Sequence, residues 1–366
     1  MKRALAVLAL LASVMTMAAP ATTAHAADGE WRRVGLPFLW PSAGLGNISA
    51  TGPSDVWVAG VQGAFCIPQI ASWGCSLESD GNPVVRRWNG SAWEEFPLHG
   101  WSGNGPMETV AAAAPDDVWV SYSLSFIADP PRYLARFDGT GFIEVDPPEA
   151  GTGFEVAANA AGTWVMTHEG EAPLYRRAGD GWQPVAGTGL SRVMDMAART
   201  STDAWAVGQG GPDGRSAIAH WDGQIWQPVD FPYDGPALYD VLPVSATDVW
   251  AAETGTGRLV RWNGSTWSQV TLPDGVEGVH LAVDGSGTVW AGGAERVVVD
   301  GYHRRRPVLL SYAGGTWQRT PVSMPWGANT MSISDLTTVP GHGSIWLTAN
   351  TSTGPVVLAK ESTTRP

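Results

Sequence analysis

The chain has 366 residues, with 35 Asp and Glu against 22 Lys and Arg, a formal net charge of −13. Only 16% of its residues are charged, while Gly (45), Pro (27) and Trp (20) are abundant. This composition excludes a coiled coil, an acidic disordered tail and a basic nucleic-acid binder, and favours short strands joined by many turns.

Residues 1–26 read as an export signal peptide. Met1-Lys2-Arg3 is a basic start, Ala4 to Ala18 is apolar, and Ala24-His25-Ala26 is a small-x-small cleavage site. The apolar run is short for a spanning helix, and no later segment is long and apolar enough to span. The expectation is a secreted, extracellular protein with no membrane insertion. Cleavage after Ala26 leaves 20 basic against 35 acidic residues, a net charge of −15, which discourages nucleic acid and anionic lipid as partners. Cys66 and Cys75 are the only cysteines. In an exported chain they are expected to form one disulfide rather than a metal site, contributing on the order of 2–3 kcal/mol by closing a short loop.

Residues 27–366 repeat one pattern and read as a single domain. The first element is Asp55-Val56-Trp57-Val58-Ala59-Gly60, with six echoes centred on Trp119, Trp164, Trp205, Trp250, Trp290 and Trp346. Their spacings of 62, 45, 41, 45, 40 and 56 residues correspond to the period of four-stranded propeller blades with insertions. A second element follows each copy, as in Arg87-Trp88-Asn89-Gly90-Ser91-Ala92-Trp93 and Arg261-Trp262-Asn263-Gly264-Ser265-Thr266-Trp267. Asn-Gly between aromatic residues predicts a hairpin with a two-residue type I′ turn, pairing Trp262 with Ser265 and Val260 with Trp267. A weaker third element precedes each Trp copy. Each repeat thus predicts strands A, B, C and D, with Trp on B and D.

The seventh repeat lacks its D strand at the C-terminal end. Asp28-Gly29-Glu30-Trp31-Arg32-Arg33-Val34 matches the D-strand copies, so the N-terminal strand is expected to complete the last blade and remove a free sheet edge. The fold predicted is an all-β, seven-bladed β-propeller.

Sixteen tryptophans occupy repeat slots, and Trp40, Trp73, Trp101 and Trp326 do not. All four fall in B–C or D–A loops, which open on one face of the disc. Trp326, Trp40 and Trp101 lie in three consecutive D–A loops. The same sector holds Phe38, His99 and the insertion containing Tyr302, His303, Arg304, Arg305 and Arg306. Exposed aromatics beside charged groups suit stacking on a sugar ring, and equally suit a protein partner. Packing within the propeller top is the bland alternative. A second candidate is a polar position recurring in the A strands: Asn47, Thr109, Glu155, Asp195, Asp240, His280 and Asp335. These border the central channel, where the favoured reading is that each bonds the backbone of the next blade. The alternative is an acidic ring attracting a cation or a basic peptide.

Catalytic signatures are missing from the sequence: no Gly-x-Ser-x-Gly, His-Glu-x-x-His, metal-type Cys spacing or phosphate loop occurs. No cofactor is expected. Asp284-Gly285-Ser286-Gly287 resembles part of a calcium loop but carries too few carboxylates. A binding protein is therefore expected rather than an enzyme, with a glycan-active hydrolase or lyase as the least favoured reading.

The Asp-Val-Trp strands paired with Trp-Asn/Asp-Gly-x-x-Trp hairpins resemble bacterial secreted propellers of the sialidase and Asp-box-like group across residues 28–366. The match departs from the Asp-box order, since Asp222 and Gly223 are adjacent, and no arginine triad with a Tyr nucleophile can be assigned. The chain is also similar to the exported seven-bladed lectin subunits of actinobacterial umbrella toxin particles. That resemblance implies recognition of a cell-surface glycan and docking of an adaptor protein in a secreted complex.

Overall fold

The B segments are apolar at nearly every position, and such strands need cover on both faces. The computed structural model supplies it: seven four-stranded antiparallel sheets, each B strand flanked by its own A and C strands and packed between neighbouring sheets. The structure describes residues 31–361 except 69–74, 124–131, 149–152, 168–171, 212, 300 and 324. The expected signal segment and Trp73 lie outside the described residues, and no helix occurs among those described.

Blade 1 comprises β2 (Gly44–Gly52), β3 (Asp55–Gln62), β6 (Asn82–Trp88) and β7 (Trp93–Glu95). The hairpin of β4 (Phe65–Pro68) and β5 (Cys75–Ser79) is inserted between its B and C strands. Blade 2 contains β8 (Thr109–Ala114), β9 (Asp117–Ser123), β10 (Arg132–Phe137) and β11 (Phe142–Glu144). Blade 3 contains β12 (Phe154–Asn159), β13 (Gly162–Thr167), β14 (Leu174–Ala178) and β15 (Gly181–Pro184). Blade 4 contains β16 (Leu190–Thr200), β17 (Asp203–Gly210), β18 (Arg215–Trp221) and β19 (Trp226–Val229). Blade 5 contains β20 (Leu238–Ser245), β21 (Asp248–Glu253), β22 (Arg258–Trp262) and β23 (Trp267–Thr271). Blade 6 contains β24 (Val276–Val283), β25 (Val289–Val299), β26 (Tyr302–Ala313) and β27 (Thr316–Thr320). Blade 7 joins β28 (Met331–Thr338), β29 (Ile345–Thr351) and β30 (Gly354–Lys360) to β1 (Trp31–Val34). The A strands of all seven blades line one central cavity.

Closure by the N-terminal strand is direct. β1 pairs with β30 from Trp31↔Lys360 to Val34↔Val357, and Arg32 bonds Glu361 at 2.8 Å. Trp31 then packs edge-on against Trp290 of blade 6, with centroids 5.9 Å apart.

That contact is one instance of a rule. Each B-strand Trp meets a D-strand aromatic of the following blade: Trp57 with Phe142, Trp119 with Trp182, Trp164 with Trp226, Trp205 with Trp267, Trp250 with Trp317, Trp290 with Trp31 and Trp346 with Trp93. A cation lies over the same ring in six blades, supplied by Arg87, Arg136, Arg176, Arg261, Lys360 and Arg32 at 4.9–5.9 Å. In blade 4 the imidazole of His220 takes that place at 4.6 Å. Cation–π contacts of this kind contribute about 0.5–2 kcal/mol each, depending on desolvation. Where Asp stands two residues before the Trp, it can bridge both partners. Asp55 accepts from Trp57 Nε1 at 2.9 Å and from Arg87 at 2.6 Å, and Asp117 and Asp203 repeat this.

Blades 3 and 6 have two-residue C–D turns, Ala178↔Gly181 and Ala313↔Thr316, but the C–D hairpins of blades 1, 2, 4 and 5 differ from the expected register. Trp262 pairs with Trp267, not Ser265, and Trp88↔Trp93, Phe137↔Phe142 and Trp221↔Trp226 follow suit. The loop therefore has four residues. Asn263 Oδ1 accepts from the backbone N–H groups of Ser265 and Thr266 at 3.0 and 2.9 Å, and only the Gly adopts positive φ, 95° at Gly264. A type I′ turn needs positive φ at both central residues. The Asn side chain, acting as an Asx turn, removes that need.

Trp31→Ala is expected to lower stability by about 2–4 kcal/mol, because it opens a cavity at the ring closure. Trp326→Ala is expected to change it by less than about 0.5 kcal/mol, as an exposed substitution. Urea unfolding of both variants checks the contrast.

Candidate functional site

Two places collect side chains beyond what packing requires. The first is the central cavity, about 580 Å³, whose wall includes Asn47, Thr109, Glu155, Asp195, Asp240, His280 and Asp335. The second is the face bearing the B–C and D–A loops.

The cavity residues are aimed by a backbone device that no sequence period revealed. In five blades the A–B register shifts just before the polar residue, between Leu45/Asn47, Val193/Asp195, Leu238/Asp240, Glu277/His280 and Ile333/Asp335. A β-bulge there inserts an extra residue and re-aims the side chain. The bulge pushes the A-strand backbone against the B strand. A Cβ at Gly60 or Gly208 would collide with the carbonyl oxygen of Gly44 or Arg192, which gives a physical reason for the Gly that ends those Trp motifs.

Once aimed inward, these side chains link successive blades. Asp195 Oδ2 accepts from Val241 N at 2.7 Å, and His280 Nδ1 lies 3.1 Å from Asp240 Oδ2 and 3.8 Å from Asp335 Oδ1. Asp335 Oδ2 accepts from Ile48 N at 3.0 Å and from Asn47 Nδ2 at 2.8 Å. Asn47 Oδ1 in turn accepts from Val110 N at 2.8 Å. A polar chain thus runs from blade 4 through blades 5, 6, 7 and 1 to blade 2.

Crowding in this wall shifts three titratable groups, His280, Asp335 and Asp195. Burial pulls the His280 imidazolium down, but the Asp240 bond and the charges of Asp335, Asp240 and Asp195 outweigh it, lifting its pKa from 6.5 to about 9. Burial raises Asp335 to about 6 against the opposing charge of His280 and the bonds from Ile48 and Leu336. Burial and the neighbouring Asp240 carboxylate hold Asp195 well above the usual range. These linked groups are committed to one another and to backbone, and among the described residues no three acids, histidines or cysteines form a metal-holding group. In blade 6, Asp284 accepts from Ser286, Thr288 and Trp290 and faces Lys360 at 3.5 Å, so its carboxylate is occupied by the fold.

On the loop face the aromatic candidates separate. Trp40, Phe38, Trp326 and Tyr302 are 64%, 73%, 99% and 69% exposed. Trp101 is not among them: it is half-buried, edge-on to Tyr122 and Tyr133 at 5.2 and 5.3 Å, and belongs to the core between blades 1 and 2. The physical reason is its loop, which folds back when Tyr133 Oη donates to the His99 carbonyl and Gly105 N to the Gly81 carbonyl.

Trp40 walls a groove of about 700 Å³ between the loop from Gly35 to Ala43 and the blade 7 turn from Thr351 to Pro355, with Arg33 and Ser352 also on its lining. Phe38 packs edge-on to Trp40 at 5.8 Å. The Trp326 loop meets the same turn, where Asn329 N donates to Ser352 Oγ at 3.0 Å. The groove therefore pairs an indole with Thr and Ser hydroxyls. Phe65 and Ile67 add exposed apolar surface nearby in sequence, on the β4 strand of blade 1. The Cys66-bearing β4 pairs with β5, bringing Pro68 opposite Cys75, while the Cys75 side chain lies outside the described residues.

Residues 296–299 and 301–305 form a ribbon projecting beyond blade 6, where β25 and β26 pair out to Val299↔Tyr302. Alternation divides its residues between two faces. Arg296, Val298, His303 and Arg305 continue the face of Trp290 and Leu309, which packs on blade 7. Tyr302, Arg304 and Arg306 continue the face of Val308 and Leu310, which packs on blade 5. The Tyr302, His303 and Arg304 set expected from sequence is thus split between the two faces.

No protein-family model and no curated protein matches the sequence. Solved structures do resemble it. The WD40 β-propeller domain of Doa1 aligns with a TM-score of 0.57 at 8% identity, over 91% of this chain and 98% of that one. YCF48 from Cyanidioschyzon merolae gives 0.53 at 15% identity, over 90% and 98%. The extracellular domain of a hybrid two-component system from B. thetaiotaomicron gives 0.57 at 10% identity, over 90% of this chain and 39% of that one. Such likenesses establish the fold alone.

The pH dependence follows from the channel shifts. A raised folded pKa means stability that is fully present below the unfolded value and lost as pH rises through the folded value. His280 therefore contributes stability below about pH 6.5 that disappears towards pH 9, and Asp335 one that disappears between its ordinary 3.8 and about 6. Thermal melts from acid to alkaline pH are expected to decline across both windows, and His280→Gln to flatten the alkaline one.

Proposed function

We propose that this chain is a secreted, non-catalytic carbohydrate-binding propeller that recognises a cell-surface glycan through the groove beside Trp40. The observation that carries the reading is the segregation of exposed apolar side chains. Among the described residues, Phe38, Trp40, Phe65, Ile67, Val298, Tyr302 and Trp326 are strongly exposed, and all lie on B–C or D–A loops of blades 6, 7 and 1. Only Ile143 and Ile225 are comparably exposed elsewhere. A flat indole next to hydroxyl-bearing Thr351, Ser352 and Thr353 suits the apolar face and hydroxyl rim of a sugar. The resemblance to umbrella-particle lectins supports the same reading, with an adaptor protein docked elsewhere on the disc. Export also supports a Cys66–Cys75 disulfide that would staple the β4–β5 hairpin beside this face.

A second reading, a protein-binding scaffold, is favoured by the aliphatic share of that surface, since Ile67 and Val298 offer nothing to a sugar hydroxyl. A glycan array separates the two. Wild type is expected to bind a defined glycan set, and Trp40→Ala and Trp326→Ala to weaken it at least about tenfold. Binding of no glycan, with a stable protein recovered from culture supernatant, would establish the scaffold reading instead.

A further inference from the structure

Many arginines of this acidic chain are held by carboxylates. Arg87, Arg136, Arg199, Arg258 and Arg261 each meet an aspartate or glutamate within 3.1 Å. On the blade 6 ribbon the two faces differ in this respect. On the blade 7 side, Arg296 and Arg305 both reach Glu277 at 2.7 Å. On the blade 5 side, the one carboxylate in cross-strand register, Glu295 opposite Arg306, is engaged by Arg319 at 2.6 Å. Arg304 and Arg306 are left exposed with no carboxylate partner among the described residues, in line with the exposed ring of Tyr302.

Alternate residues on one strand lie about 7 Å apart, so Tyr302, Arg304 and Arg306 form a stripe of one aromatic ring and two guanidiniums about 14 Å long. The stripe suits a narrow ligand. One face of a two-stranded ribbon this long presents on the order of 200 Å², far below the ~800 Å² per partner of a stable protein interface. Guanidiniums pair with carboxylate or phosphate oxygens through two parallel bonds, and a Tyr ring stacks on a sugar face. After signal cleavage the net charge of −15 disfavours polyanions over most of the surface, and this stripe is where two guanidiniums stand free of carboxylates.

We propose that Tyr302, Arg304 and Arg306 form a second carbohydrate subsite, on the blade 5 side of the ribbon, that binds an acidic polysaccharide through its carboxylate or phosphate groups. The proposal rests on the carbohydrate reading above but uses residues separate from the Trp40 groove, so each can fail alone.

The test uses affinity electrophoresis and biolayer interferometry of the mature protein on polygalacturonate, its carboxyl-reduced neutral galactan, dextran phosphate and oligo(dT), at low and high salt. Wild type should bind polygalacturonate or dextran phosphate, with affinity falling as salt rises. Whichever it prefers identifies the anion. Arg304→Gln/Arg306→Gln should weaken that binding at least about tenfold, while Arg305→Gln, on the opposite face, should leave it unchanged. Circular dichroism and melting temperature verify that the variants fold. Equal loss in all arginine variants would reduce the effect to bulk charge and overturn the subsite, as would wild-type indifference to both acidic polysaccharides or a preference for oligo(dT). The underlying carbohydrate reading is judged separately, by glycan-array binding that Trp40→Ala removes and Arg304→Gln/Arg306→Gln does not.

Discussion

The contact on which the ring depends is the B-strand indole held between a cation or imidazole, from its own blade or the next, and an aromatic ring of the next blade. A single blade cannot bury its Trp, because the cover comes from its neighbour. Stability is thus distributed between blades, and a circle is the arrangement in which every Trp finds cover. Blades 6 and 7 show the constraint most clearly. Ser311 stands opposite Trp290 and Ala359 opposite Trp346, where blades 1 to 5 place Arg or His, and the cation over Trp290 is Lys360 from blade 7. Trp346 is covered by Arg32 from the N-terminal strand. Lys360, nearly buried against Asp284, and Arg32, bonded to Glu361, place the closing interactions where the two ends of the ring meet.

The inner wall obeys a second constraint. Seven A strands converging on one axis bring polar side chains close together, and half-buried polar groups must find partners. Bulges in five of the blades solve the geometry by turning the polar residue towards the adjacent blade. The result is a hydrogen-bonded belt in which His280 offsets the charge of three aspartates. The cavity looks like an acidic funnel from composition, yet its carboxylates are largely spent on backbone N–H groups and one imidazole. That leaves the loop face as the stronger candidate for ligand.

The two faces of the disc differ for a related reason. In blades 1, 2, 4 and 5 the C–D turns are sealed by Asn or Asp side chains that accept from the backbone two and three residues on, and in blades 3 and 6 they are still shorter two-residue turns. The variable insertions, including the β4–β5 hairpin and the blade 6 ribbon, lie on the opposite face, as do most of the exposed aromatics. Rigid turns on one side and varied loops on the other are how a repeated scaffold supports a recognition surface.

Much of the architecture was legible from the repeat alone. The Trp spacing, the Asn/Asp-Gly hairpins and the misplaced D strand at Trp31 determined the blade number and the closure, because these depend on local period and on burial that every blade needs equally. The hairpin register was misjudged by two residues, since nothing in Asn-Gly distinguishes a two-residue turn from a four-residue loop capped by the Asn side chain. The site was legible only as a list. Whether a loop Trp is exposed depends on what its loop folds against, so Trp101 and Trp40 look alike in sequence and differ in space. The split of Tyr302 and Arg304 from His303 follows from strand alternation, but only once the insertion is known to continue the blade 6 strands. Tertiary structure alone decided which blade each face of that ribbon meets, which arginines find carboxylates, and how the A-strand bulges aim the channel residues, because each of these is a contact between segments far apart in the chain.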